Sequence, residues 1–64
     1  MKRTWLTFNQ TLAECRGYFT SVSRHIKDRE CAKEQTEGFM EAQVESGRFN
    51  RDFVDQIIRR ETYT

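Results

Sequence analysis

Three side chains in this 64-residue sequence have soft metal-ligating chemistry: Cys15, His25 and Cys31. Structural zinc sites use four such ligands, paired a few residues apart. Here ten positions separate Cys15 from His25, six separate His25 from Cys31, and a fourth ligand is missing. Neither a metal nor another cofactor is expected. Along one straight helix Cys15 and Cys31 would stand about 24 Å apart, too far for an internal disulfide. Nucleophilic catalysis needs a nucleophile, a base and an orienting group held in a concave site. A short helical chain offers little concavity, so no catalytic residue is assigned and an enzyme is not expected. Cys15 reads as a small inward-facing residue and His25 as a surface histidine.

The charged residues offer binding chemistry instead. Glu30, Glu34, Glu37, Glu41 and Glu45 step by 4, 3, 4 and 4. At 100° per residue they make one acidic ridge on a helix. Such a ridge is most often a solvated face. Its functional reading is a docking strip for a basic surface, with a carboxylate each turn crudely imitating phosphate spacing. Lys2, Arg3, Arg48, Arg51, Arg59 and Arg60 are the types that touch phosphates. Yet the net charge is only +1. Asp52 and Asp55 also stand where a recognition helix would approach nucleic acid. A protein partner is therefore expected ahead of a nucleic acid. Charge is also sorted along the chain: +4 over residues 1–29, −4 over 30–46 and +1 over 47–64.

Helices must carry these residues. Trp5, Phe8, Leu12, Cys15, Phe19, Val22 and Ile26 step by alternating threes and fours, a heptad seam with polar residues between. Thr4 or Thr7 can cap its start. Gly17 inside it costs about 1 kcal/mol relative to alanine unless something packs closely there. After Ile26 the seam fades into Arg29 and Lys33. Ala32, Thr36, Phe39, Met40 and Gln43 oppose the glutamate ridge, with Gly38 between them. The pattern predicts a helical segment over about 5–46, broken or bent between 28 and 38. Gly47 then reads as a left-handed cap. Asn50 reads as an N-cap, with Phe49 and Val54 at hydrophobic-staple spacing. A short helix follows over about 51–61, carrying Phe53, Val54, Ile57 and Ile58 inward. Asp52 and Asp55 suit its positive end, and Arg59 and Arg60 its negative end.

The expectation is one all-α domain over residues 1–64, a helical hairpin with a long N-terminal helix, a turn at 47–50 and a short C-terminal helix. So short a chain buries only about 60% of its surface. Its 36% apolar content suits amphipathic helices, and eight aromatic side chains with low net charge argue against disorder. The seam would be roughly 33 Å long, about twice the C-terminal helix. A second copy is expected to cover the remainder, giving a self-associating bundle, most simply a homodimer. No apolar run is long enough to span a membrane, and MKRTWLTF lacks a secretory signal's continuous apolar stretch. The expected compartment is the cytoplasm of the producing or host cell, which also suits two unpaired cysteines.

The stretch from Gly38 to Arg60 resembles the helical hairpin of the sporulation antikinase Sda family. The likeness rests on an aromatic-bearing first helix and a short turn. It continues through Asn50, Arg51, Asp52, Phe53 and Val54, then Ile57, Ile58, Arg59 and Arg60. It covers about a third of the chain and implies inhibition by docking on a protein. In general character the chain also resembles the small early-region accessory proteins of temperate bacteriophages, which implies a modulator of one host protein.

Overall fold

The computed structural model describes residues 5–64. Three α-helices follow one another: α1 over Phe8–Ser23, α2 over Arg29–Glu45 and α3 over Arg51–Arg60. There is no strand among the described residues, and no helix is long and apolar enough to cross a membrane.

Each helix starts on a side-chain cap. Of the two threonines that could open α1, Thr7 does so, in a reciprocal box with Gln10. Its hydroxyl accepts from the Gln10 amide at 3.2 Å, and Gln10 Oε1 accepts from the Thr7 amide at 3.0 Å. Thr4 lies outside the described residues. Asp28 accepts from the Glu30 amide at 2.9 Å to open α2. Asn50 accepts from the Asp52 amide at 2.8 Å to open α3, as its sequence position implied.

The expected long N-terminal helix is two helices. The chain reverses over residues 24–28, at the near edge of the 28–38 window rather than inside it. The amides of His25 and Ile26 close the turn on Val22 O at 3.0 and 2.9 Å. Asp28 decides the position, because a short carboxylate that satisfies a free helix amide favours a new start. Gly38 sits within α2 without breaking it, and a Cβ added at either Gly17 or Gly38 would meet nothing within 4 Å.

The other two ends are alike in form. After α2, the amides of Gly47 and Arg48 bond to Val44 O and Gln43 O at 3.1 and 3.0 Å, with Gly47 at φ +86°. After α3, the amides of Glu61 and Thr62 bond to Ile58 O and Ile57 O at 3.2 and 3.3 Å. Both are Schellman closures, in which a left-handed residue lets the last carbonyls be satisfied. In the second, that residue is Glu61, at φ +53°. The turn sends residues 62–64 back toward α1 and α2.

The core comprises Cys15 of α1, Met40 of α2, Phe49 of the turn, Val54 and Ile57 of α3, and Tyr63. The staple residues Phe49 and Val54 thus share one buried cluster. Thr11 and Thr36 are fully buried too, each hydroxyl donating at 2.8 Å to a carbonyl four residues back, Thr7 O and Ala32 O. That bond removes the penalty of burying a hydroxyl. Edge-to-face rings tie the layers, Phe8 on Phe53 at 5.5 Å and Phe19 on Tyr63 at 5.7 Å.

Four substitutions check this frame by urea or thermal unfolding. Gly17→Ala and Gly38→Ala should each stabilise by about 0.5–1 kcal/mol, since both helices gain propensity without a clash. Asn50→Ala should cost about 1 kcal/mol. Gly47→Val should cost about 1–2 kcal/mol through the left-handed backbone. Destabilisation by Gly38→Ala would mean that α2 bends there after all.

Candidate functional site

The apolar seam is the first surface to place, and its stretch from Phe8 to Phe19 packs against the chain's own core. Cys15 is fully buried, while Phe8, Leu12 and Phe19 are half-buried against the chain's own core. Antiparallel α2 covers part of the stripe that α3 is too short to reach. Val22 is half-buried near the end of α1, and Ile26 is half-buried in the turn. Trp5, 43% exposed ahead of α1, is the large hydrophobic side chain left in solvent among the described residues.

The glutamate ridge is divided as well. Glu37 Oε2 accepts from the Tyr63 hydroxyl at 2.7 Å. Both carboxylate oxygens of Glu41 accept from Arg51, each at 2.8 Å, and this fork holds the Glu41 carboxyl below its ordinary range. The cause is the width of α2's buried face. With α1 on one flank and α3 on the other, the ridge borders the second contact. Glu30, Glu34 and Glu45 remain exposed.

Two arginines expected to reach phosphates are occupied. Arg48 bridges Glu14 of α1 and Gln43 of α2, both at 2.7 Å, and lies 5.7 Å from the Phe49 ring centre. Arg51 is held by Glu41. Lys2 and Arg3 lie outside the described residues. Arg59 and Arg60 are exposed, with no carboxylate partner among the described residues.

A wider pattern has no local signal in the sequence. Nine lysines and arginines lie among the described residues, and three form ion pairs: Lys33 with Glu61, Arg48 with Glu14, and Arg51 with Glu41. The other six are Arg16, Arg24, Lys27, Arg29, Arg59 and Arg60. Arg24, Lys27 and Arg29 lie in and just after the α1–α2 turn, Arg59 and Arg60 close α3, and Arg16 stands on α1 where the C-terminal residues cross it. Three contacts join these parts: Arg16 Nε to Thr62 O at 3.0 Å, Arg29 Nη2 to Thr64 Oγ1 at 3.2 Å, and Lys33 Nζ to Glu61 at 3.1 Å. The free acids of the α2–α3 turn, Glu45 and Asp52, sit at the other end. Residues 16–37 and 57–64 together hold seven cations and five acids, a net +2, while the other described residues hold two cations and five acids, a net −3.

The thiols differ sharply. Burial, then the charge of Glu14, pushes Cys15 up to about 11. Cys31 is exposed and is also raised, chiefly by Asp28 beside it. Among the described residues no three His, Cys, Asp or Glu side chains gather closely enough to hold a metal ion. Tyr63 is pushed far above the ordinary tyrosine range by burial, then by its bond to Glu37. Its position had no periodic signal in the sequence. No family model, curated protein or solved structure matches the chain.

Both buried groups, Cys15 and Tyr63, must stay protonated in the fold, so their contribution is complete at low pH and lost as pH rises. Thermal stability should hold up to about pH 8, where unfolded cysteine begins to ionise, and fall from there toward pH 11. Tyr63 adds to the fall above pH 10. Cys15→Ala should remove the earlier part of the loss and Tyr63→Phe the later part. A melting temperature that rises with pH across this window would contradict the burial of both groups.

Proposed function

We propose that the chain is a small, non-enzymatic protein-interaction module that modulates or inhibits one partner protein. The observation that carries this reading is the lengthwise sorting of charge on a bundle whose apolar faces are used internally. Such a surface offers little for transforming a small molecule and much for recognising a charged macromolecule. Inhibition by docking is also what the resemblance to the antikinase hairpin and to phage accessory proteins implies. The cytoplasm of the producing or host cell is the proposed place of action. Self-association through the seam is not part of the proposal, because Phe8, Leu12, Cys15 and Phe19 already pack against the chain's own core.

The unpaired cations at one end favour a second reading, a nucleic-acid-associated accessory protein. One capture experiment separates the two. The immobilised chain, mixed with extract of the producing or host cell, should retain one predominant protein whose recovery survives nuclease and declines with salt. Recovery that disappears with nuclease would replace the modulator reading with the nucleic-acid one.

A further inference from the structure

We infer that the end bearing Arg24, Lys27, Arg59 and Arg60 docks an acidic amphipathic segment of a partner protein; this rests on the module reading above. All four side chains are exposed and none has a carboxylate partner among the described residues. Arg16 and Arg29 stand beside them but hold the C-terminal residues in place. The surface is therefore built in two layers. One set of cations fixes the tail, and a second set faces solvent.

The charge there does not suit a duplex. Asp28, Glu30 and Glu34 share the same end and are exposed, and the unbroken charge of a duplex could not avoid them, whereas a helix can carry its glutamates only where the cations stand. Half-buried Val22 and Ile26 lie among the cations of the α1–α2 turn, and half-buried Ile58 lies beside Arg59. Phosphate and sugar gain nothing from such apolar seats. A helix with glutamates flanking a leucine stripe uses both, its carboxylates on Arg24, Lys27, Arg59 and Arg60 and its leucines on the apolar edges. The far end, with Glu45 and Asp52 exposed and unpaired among the described residues, repels the same segment and so fixes which end it meets.

The test titrates the full chain with three labelled probes. They are a helical Glu/Leu peptide of about 20 residues, the same peptide with serine for leucine, and a DNA duplex of about 20 base pairs. The Glu/Leu peptide should bind most tightly, and its affinity should fall as salt rises from roughly 0.05 to 0.3 M. Arg24→Gln with Lys27→Gln, and separately Arg59→Gln with Arg60→Gln, should each weaken it about tenfold. Glu45→Gln with Asp55→Asn should not weaken it. Circular dichroism should show unchanged helix content in all three. Tighter binding of the duplex, or equal binding by wild type and both cation variants, would overturn the inference. If the cation variants still retain a nuclease-resistant partner from extract, the docking end is wrong while the module reading stands. If only nuclease-sensitive material is ever retained, the module reading itself falls.

Discussion

The apolar stripe of α1 stays dry because the chain reverses between Arg24 and Asp28. A single helix through this region would leave much of the seam in water, since α3 is only ten residues long. Reversal brings the seventeen residues of α2 back along α1 and gives the seam a partner of matching length. The turn itself is small: two amides on Val22 O and one carboxylate cap from Asp28. The tertiary packing that follows needs it. The groove that receives α3 exists only once α1 and α2 are paired, and so does the site for Tyr63.

Tyr63 extends a bundle that α3 alone leaves short. Its ring packs edge-on against Phe19 of α1, its hydroxyl bonds Glu37 of α2, and Glu61 in a left-handed conformation aims it there. Arg16, Arg29 and Lys33 bind the flanking residues. The same arrangement shapes the surface. Ion pairs neutralise the arginines near the α2–α3 turn, whereas at the opposite end arginines bind neutral carbonyl or hydroxyl oxygens and keep their charge. Charge separation along the molecule thus follows from how the helices are tied together.

The helical class, the Gly47 closure, the Asn50 cap and the bounds of α3 were legible because each rests on local chemistry that a few neighbouring residues specify. The seam was legible as an inward stripe that the C-terminal helix covers in part, but its cover by α2 was not. That required knowing where the first segment breaks, and periodicity runs through Ile26 without marking the turn. Asp28 followed by Glu30 was the available signal, an N-cap with an acid in the first turn. Gly38 was the misleading one, because glycine on an exposed helix face lowers stability without bending the helix. The acidic ridge was correct as a line on α2. Its occupation by Arg51 and Tyr63 was hidden, since both come from residues whose approach depends on tertiary packing. Tyr63 and the gathering of unpaired cations depend on the close of α3 meeting α1 and α2, which no local pattern encodes.

Two cysteines report directly on whether α2 closes over α1 within one chain. Cys15 lies at the centre of the α1 stripe, fully buried, and Cys31 is exposed in the first turn of α2. With a thiol-reactive chromophore at neutral pH, one thiol per chain should react in the folded protein and the second only on unfolding. Sedimentation in parallel should show a monomer, and protection of Cys15 should be unchanged on dilution. Reaction of both thiols at similar rates, or protection of Cys15 that is lost when a dimer dissociates, would contradict the intramolecular closure.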